Sequence, residues 1–250
     1  MDKVISSPAD AIADIPSGSS LAVGGFGLCG IPSTLIEALH TRGVDDLRVV
    51  SNNCGVDDWG LGILLAAGRL SRVTASYVGE NKEFARQYLA GELEVELCPQ
   101  GTLAERLRAG GAGIPAFFTP AGVGTPVADG GLPWRYDGQG GVAVTSPPKE
   151  TRVIAGREYL LEHAITTDYA LVHAHTGDRH GNLRFARSAA NFNPPAAMAG
   201  KITIAQVEHL VEPGELTPDD IHLPGIYVQR VVPVTGLDKR IEKRTTQETG

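Results

Sequence analysis

The sequence predicts an α/β fold, an open and mainly parallel sheet flanked by helices, with a β-rich excursion in the middle of the chain. Three observations carry this expectation. Short apolar runs alternate with helical patterns through the first 110 residues or so, the order that builds parallel sheets. The first run, Leu21-Ala22-Val23, enters a loop with four glycines between Gly24 and Gly30 and leaves it at Ile31-Pro32, ahead of a helical stripe of Leu35, Ile36 and Leu39. From Ala121 to Pro148 the helical patterns stop and glycines punctuate an extended stretch.

In chain order, Ser7-Pro8-Ala9-Asp10 reads as a helix start with a capping serine and proline at the first helical position. After the glycine loop comes a strand over Leu47–Ser51. Trp59 to Ala67 is helical, with Leu61, Ile63, Leu64 and Leu65 crowded as in a buried helix. Arg72–Tyr77 is a strand, and Lys82–Ala90 a helix with Phe84 and Tyr88 on one face. Glu92–Leu97 alternates strictly, which predicts a strand with one wet face. Thr102–Ala109 is a helix ending at Gly110-Gly111, and Ile114–Thr119 a further strand. Thr151–Ile154 and Glu158–Leu161 form a hairpin around Ala155-Gly156-Arg157. Asp168–Ala174, Leu183–Arg187, Lys201–Val207 and Ile226–Val234 complete the strands. The expected organisation is a single domain over residues 1–250, with a polar, basic tail from about residue 236 that is solvated or meets another polypeptide of the assembly.

At 250 residues the chain is long enough to bury a large core. Its net charge of −7 argues against nucleic acid as the main partner. No apolar run reaches the roughly 18–20 residues of a membrane span, and Met1-Asp2-Lys3-Val4 lacks a secretory pattern, so the default expectation is cytoplasmic. Cys29, Cys54 and Cys98 have no C-x-x-C spacing, which fits a reduced compartment and not a zinc knuckle.

Ligands of open parallel sheets gather at the carboxyl ends of strands. Four loops there are polar and tightly turned: Gly24–Gly30 (with Gly24, Gly25, Phe26, Gly27 and Gly30), Ser51-Asn52-Asn53-Cys54-Gly55, Gly79-Glu80-Asn81 and Pro99-Gln100-Gly101. Glycines let a ligand approach the backbone, and the first N–H groups of the following helix are expected to face it. Neutral amides suit a carbonyl or carboxylate, which they bind without protonating. A lone Asn or Gln is more often a turn residue, yet several at successive strand ends favour a shared site. Glu80 reads either as a nucleophile or base, or as a carboxylate capping the helix from Lys82. His173 and His175, with His180, look metal-like, but alternation in a strand explains two histidines without an ion, and no metal is expected. Arg184, Arg187 and Asn191-Phe192-Asn193-Pro194 suit a subunit contact better than a site wall.

Gly25-Phe26-Gly27-Leu28-Cys29-Gly30 is formally the dinucleotide fingerprint G-x-G-x-x-G. That fingerprint needs an acidic residue at the carboxyl end of the second strand. Here the second strand ends in Ser51-Asn52-Asn53, while Asp45 and Asp46 precede it. A nicotinamide-dependent oxidoreductase is therefore a weaker alternative.

From about Ile12 to about Glu242 the chain resembles the A (alpha) subunits of succinyl-CoA:3-oxoacid CoA-transferases. The resemblance is carried by Val23–Pro32, Ser51-Asn52-Asn53, Ser76–Asn81, Glu94–Leu97, Pro99–Arg106, Gly110–Phe117 and Asn191-Phe192-Asn193. Where the family usually has Asp or Asn before Gly18, this chain has Ser17, which is expected to weaken a turn contact. The resemblance implies ping-pong transfer of coenzyme A from succinyl-CoA to a 3-oxo acid such as acetoacetate, with 3-oxoadipate the alternative acceptor. It implies that the nucleophilic glutamate lies on a B subunit, in a Glu-Asn-Gly stretch. Here Glu80-Asn81 is followed by Lys82, so that role is not carried to Glu80, and no catalytic nucleophile is expected in this chain. By the same resemblance Asn52, Asn53 and Gln100 bind substrate, the Gly24–Gly30 loop packs against the reacting thioester, and Glu80 and Asn81 support. The implied partner is the B subunit, in a heterodimer or heterotetramer. No cofactor is implied beyond coenzyme A thioesters as substrates.

Overall fold

The computed structural model describes residues 1–79 and 81–240. Its centre is an eight-stranded sheet. The N-terminal part contributes β1 (Ser20–Val23), β2 (Leu47–Val50), β3 (Leu70–Ala75) and β4 (Glu94–Leu97), separated by α2 (Ser33–Arg42), α3 (Leu61–Ala66) and α4 (Lys82–Leu89). A one-turn helix α1 (Pro8–Ala11) precedes them, and α5 (Gln100–Gly111) follows β4. As expected, Ser7 caps α1, its side chain accepting from the Asp10 N–H. Ser17 makes its turn contact after all, its Oγ accepting the Asp45 N–H at 3.1 Å.

The chain then leaves the sheet. β5 (Ala116–Thr119), β8 (Thr151–Ile154) and β9 (Arg157–His163) form a three-stranded antiparallel sheet in the order β5-β9-β8. Between them come α6 (Pro126–Asp129) and a two-stranded ribbon of β6 (Pro133–Tyr136) and β7 (Val142–Thr145). The stretch from Ala121 to Pro148 thus holds one helical turn. The β8–β9 hairpin turns at Ala155 and Gly156, both with positive φ (49° and 78°), the conformation that suits the twist of a tight hairpin. Ile114–Thr119 supplies a strand as expected, but to this excursion and not to the parallel sheet. A four-residue apolar strand carries no mark of which sheet it will join.

The chain returns through β10 (Thr167–Asp178), β11 (Leu183–Arg184), α7 (Asn193–Ala199), β12 (Gly200–Val211) and β13 (Arg230–Pro233). The sheet order is β13-β12-β10-β1-β2-β3-β4, parallel along this path, with β11 antiparallel on β10. The last strand is shorter than the apolar run Ile226–Val234, because Gly225–Tyr227 is a 3-10 turn that leaves Ile226 exposed. Two apolar layers sandwich the sheet. One includes Leu35, Ile36, Leu39, Leu64, Leu65 and Phe84, and the other Leu103, Leu107, Phe185, Ala196 and Val228.

The alternation in Glu92–Leu97 misplaces two side chains, Glu96 and Leu97, the latter exposed where the apolar face is expected. Only Glu94–Leu97 is strand, and Glu96 is buried. Its carboxylate accepts from Arg72 Nη2 at 2.7 Å and Arg106 Nη1 at 2.6 Å. Burial pushes the Glu96 carboxyl up, but the two guanidinium groups outweigh it and hold it below its ordinary value. Arg106 also approaches Glu162 of β9, which pairs with Lys149, so this ionic group ties α5 and β4 to the excursion.

At the C-terminal end, residues 236–240 lie against the body: Leu237 packs on the core, Lys239 Nζ donates to Glu208 Oε2 at 2.6 Å, and Arg240 sits 4.3 Å over the Trp59 ring. The remainder of the expected polar tail lies outside the described residues.

Candidate functional site

Strand order reverses between β1 and β10, so the carboxyl end of β1 is where an open α/β sheet leaves a crevice. The glycine loop starts there. Phe26 and Cys29 exchange backbone hydrogen bonds at 3.0 Å each, folding Gly27 and Leu28 into a tight turn with Gly27 at φ 57°. Gly24 has no room for a side chain, because a Cβ there would lie 2.0 Å from Asn193 Oδ1. Asn193 is completely buried. Its Nδ2 donates to the Gly30 and Ala189 carbonyls at 2.9 Å each, and its Oδ1 accepts the His173 N–H at 2.9 Å. Asn191 Nδ2 adds a bond to the Cys29 carbonyl at 3.0 Å. These asparagines therefore brace the loop from inside the chain. Burial corrects the expectation of a subunit contact for Phe192 and Asn193, while Asn191 is half-buried and Arg184 and Arg187 are at the surface.

A second correction concerns α2, whose first N–H groups are expected from the sequence to face a ligand. Instead Gln206 Oε1, from the middle of β12, accepts the N–H groups of Thr34 and Leu35 at 3.1 and 3.3 Å. Pro32 is the cap residue and the helix begins at Ser33, one residue later than expected. The seat that a dinucleotide's pyrophosphate would need is thus occupied by a buried amide. Sequence reasoning misses Gln206, although a glutamine inside Ile202–Val207 is an anomaly in an apolar run. The run alternates, but Thr203–Val207 is buried on both faces.

With the switch point filled, the accessible cleft opens beside it, at the ends of β2, β3 and β4. It has a volume of about 340 Å³ and is lined by Phe26, Gly27, Asn52, Asn53, Ser76, Tyr77 and Gln100, with Gly55 and Gly79. All four loops therefore border one cleft. Asn52 is their hub. Its Oδ1 accepts from Ser76 Oγ at 2.8 Å and Gln100 Nε2 at 2.7 Å, and its Nδ2 donates to Asn53 Oδ1 at 3.2 Å. Asn53 Oδ1 also accepts the Gly27 N–H at 3.0 Å, which locks the glycine loop to the amide row. Asn52 and Asn53 are both buried, so the row is held rigidly. Among the described residues no protein acceptor takes the Asn53 Nδ2 hydrogens. α5 begins at Gln100 with no side-chain cap, and Gly101 faces open space. The cleft thus combines neutral amide donors with the positive end of a helix. Among the described residues that line it, none is charged at neutral pH.

Of the supporting residues, Glu80 lies outside the described residues. The cap of α4 is Asn81, whose Oδ1 accepts the Phe84 N–H at 2.8 Å, while its Nδ2 donates to the Cys54 carbonyl at 3.0 Å. Asn81 is buried and supports the Cys54 end of the amide loop from behind; it does not line the cleft. Gly24, Gly25 and Gly30 likewise shape the loop, and Phe26 and Gly27 present it to the cleft. Burial pushes the Cys54 thiol up to about 12 and the Cys98 thiol up to about 11, which removes both as nucleophiles.

A larger cavity, about 380 Å³, lies between β4, α5 and the excursion. Of its charged lining, Glu96, Arg106, Lys149 and Glu162 are mutually paired and Glu150 pairs with Arg152 outside it, so the cavity offers a ligand little that is not already bonded. On the other side of the glycine loop, His173 faces Ile31 O at 3.2 Å through Nδ1 and Glu208 Oε1 at 3.1 Å through Nε2. Burial pushes the His173 imidazole down, outweighing the pull of Glu208.

Known proteins share this sequence and architecture. The family model described as Coenzyme A transferase matches residues 5–233. A Mycobacterium bovis protein, named as the probable A subunit of a succinyl-CoA:3-ketoacid coenzyme A transferase, is 68% identical over 248 residues, covering 99% of this chain and 100% of that protein. A Bacillus subtilis protein of the same name is 58% identical, covering 99% and 97%. A mitochondrial succinyl-CoA:3-ketoacid coenzyme A transferase of Rattus norvegicus is 51% identical over 99% of this chain but only 48% of its own length. Among solved structures, an acyl-CoA transferase apoenzyme from Escherichia coli superimposes with a TM-score of 0.78 at 26% identity, covering 93% of this chain and 47% of that one.

Proposed function

This chain belongs to the coenzyme A transferase family, among the A subunits of succinyl-CoA:3-ketoacid coenzyme A transferases, and from that premise we propose that its amide-lined cleft is one wall of an active site completed by a partner B subunit. The observation that carries this is the interlocked row of Asn52, Asn53 and Gln100, which gives a rigid, neutral donor surface. A glutamate on the partner attacks the thioester carbonyl of succinyl-CoA and expels the CoA thiolate, leaving a mixed anhydride. The thiolate then attacks the glutamyl carbonyl, releasing succinate and forming a glutamyl-CoA thioester. A 3-oxo acid carboxylate reverses both steps and leaves as its CoA ester.

Each addition places negative charge on a carbonyl oxygen. Donors already fixed in place stabilise that charge without reorganising, which is the largest contribution such a wall can make. Being neutral, the same donors hold a carboxylate without protonating it, so the incoming acid keeps its nucleophilicity. Phe26 and Tyr77, half and more than half exposed at the cleft, are apolar surface for the partner to cover. Covering them excludes the water that would hydrolyse the anhydride.

The match to only 48% of the rat relative supports a partner of similar size to this chain. The names of the relatives support a 3-ketoacid of the acetoacetate type over 3-oxoadipate. No described helix is long and apolar enough to cross a membrane, which is compatible with the cytoplasmic setting we assign. The test is reconstitution. The purified chain should be inactive alone and should transfer CoA from succinyl-CoA to acetoacetate, in preference to 3-oxoadipate, once mixed with its B subunit. Turnover by the chain alone would overturn the division of labour.

A further inference from the structure

The carboxyl ends of β10 and β12 bring together three metal-ligating side chains that CoA transfer leaves unused. His175 comes from β10, and Glu208 and His209 from β12. Their ligand atoms all lie within 4.8 Å of one another, and the two imidazole rings are 4.7 Å apart, tilted by 57°. We propose that His175, Glu208 and His209 form a binding site for one divalent transition ion of the zinc class.

The donor set selects the ion. Two imidazoles and a carboxylate suit Zn²⁺, Co²⁺ or Ni²⁺, whereas Mg²⁺ and Ca²⁺ want oxygen ligands. Ligands about 2.0–2.1 Å from a tetrahedral ion stand roughly 3.3 Å from each other. The three side chains, partly or fully exposed, need to close by only about 1.5 Å to reach that spacing. Two of them are already oriented by neighbours, as metal ligands commonly are. Thr176 Oγ1 contacts His175 Nδ1 at 2.9 Å, which leaves Nε2 for the ion. His173 Nε2 lies 3.1 Å from Glu208 Oε1 and steers that carboxylate. Lys239 Nζ holds Glu208 Oε2 at 2.6 Å, so this ammonium competes with the ion for the carboxylate. A shallow open cleft bordered by Thr235, Gly236 and Leu237 meets Glu208 and His209, leaving room for a fourth, solvent-derived ligand. His180 takes no part. Its N–H is held by Asp178 in the turn after β10.

The test titrates the tag-free full-length chain with Co²⁺, whose visible absorption reports ligand field and stoichiometry, and repeats the titration with its B subunit bound. One equivalent should bind with the intense bands of a four-coordinate site. His209→Ala and His175→Ala should each weaken binding at least ten-fold, Lys239→Met should tighten it, and His180→Ala should leave it unchanged. Zn²⁺ should raise the Tm of the wild-type chain and not that of the His209 variant. His209 is exposed, so its variant folds and decides the matter if the His175 variant does not. Absence of Co²⁺ binding at millimolar concentration, or binding indifferent to His209→Ala, would overturn the proposal.

Discussion

One sheet edge carries two chemistries. The ends of β2, β3 and β4 present neutral amides, Asn52, Asn53 and Gln100, while the ends of β10 and β12 present titratable groups, His173, His175, Glu208 and His209. The strands of the main path pair in parallel on both sides of the switch point. The difference lies in what fills the space above each strand end. On the amide side a cleft stays open, and every hydrogen bond in the row joins neutral partners. On the histidine side Gln206 plugs the helix end and residues 236–240 cover the glycine loop from behind. For the proposed role, holding carboxylates and oxyanions, a surface gains from being unable to donate a proton outright. The described histidines and Glu208 lie on the far side of the loop.

The sharpest way to break this comparison is to disable one residue on each side. Asn52→Ala removes the acceptor of Ser76 and Gln100 and the donor to Asn53. In the enzyme reconstituted with its B subunit, kcat for acetoacetate should fall by about 100-fold, the scale of a lost oxyanion-site support. His209→Ala should stay within about two-fold, since it touches none of the amide row. Equal losses in the two variants would erase the distinction between the halves.

Asn193 is the joint between the two halves, because one side chain holds both the glycine loop and the His173 N–H. Gly24→Ala drives a Cβ to 2.0 Å from its Oδ1 and 3.0 Å from its backbone Cα. The backbone cannot yield freely there, so urea unfolding should show a loss of about 1–3 kcal/mol, the cost of overpacking. An unchanged midpoint would mean that the joint is looser than its hydrogen bonds imply.

How much of the molecule is legible in the sequence follows from where each constraint acts. The strand–loop–helix order and the glycine loop are local, and they appear at Ser20–Val23 and onward much as the pattern implies. The amide row is legible because all four loops follow strands of one parallel sheet, which puts them on one edge. What escapes is long-range. Nothing near Asn193 or Gln206 in the chain says that the first will brace a loop about 165 residues away, or that the second will cap α2. The wet face expected for Glu96 fails for the same reason, since Arg106 lies on the next helix and Glu162 across the excursion. The histidine cluster needs His209, which no spacing links to His175.

The titratable half can be sharpened through Gln206. Its Oε1 caps two N–H groups of α2, while its Nε2 is buried without a partner among the described residues. Gln206→Leu loses the cap but also relieves the unpaired nitrogen, so the net destabilisation should be about 1 kcal/mol by urea unfolding. A loss above about 3 kcal/mol would mean that the nitrogen has a partner after all.

The smallest effect tests whether the amide half is as dry beneath as it is neutral above. Cys54 follows Asn53 and is completely buried, and that burial pushes its thiol up to about 12. In the unfolded chain the same thiol ionises near about 8.5. The folded state therefore keeps a proton that the unfolded state gives up. The resulting stability is fully present below about pH 8.5 and is lost as the pH rises towards 12. Cys54→Ala lacks this dependence. Between pH 8 and 9 the difference in unfolding free energy between wild type and variant should shift by about 0.7 kcal/mol, to the disadvantage of wild type. Urea unfolding of both at the two pH values measures the shift. A difference that does not move would place the thiol in contact with water, and the amide row would then rest on a wet support.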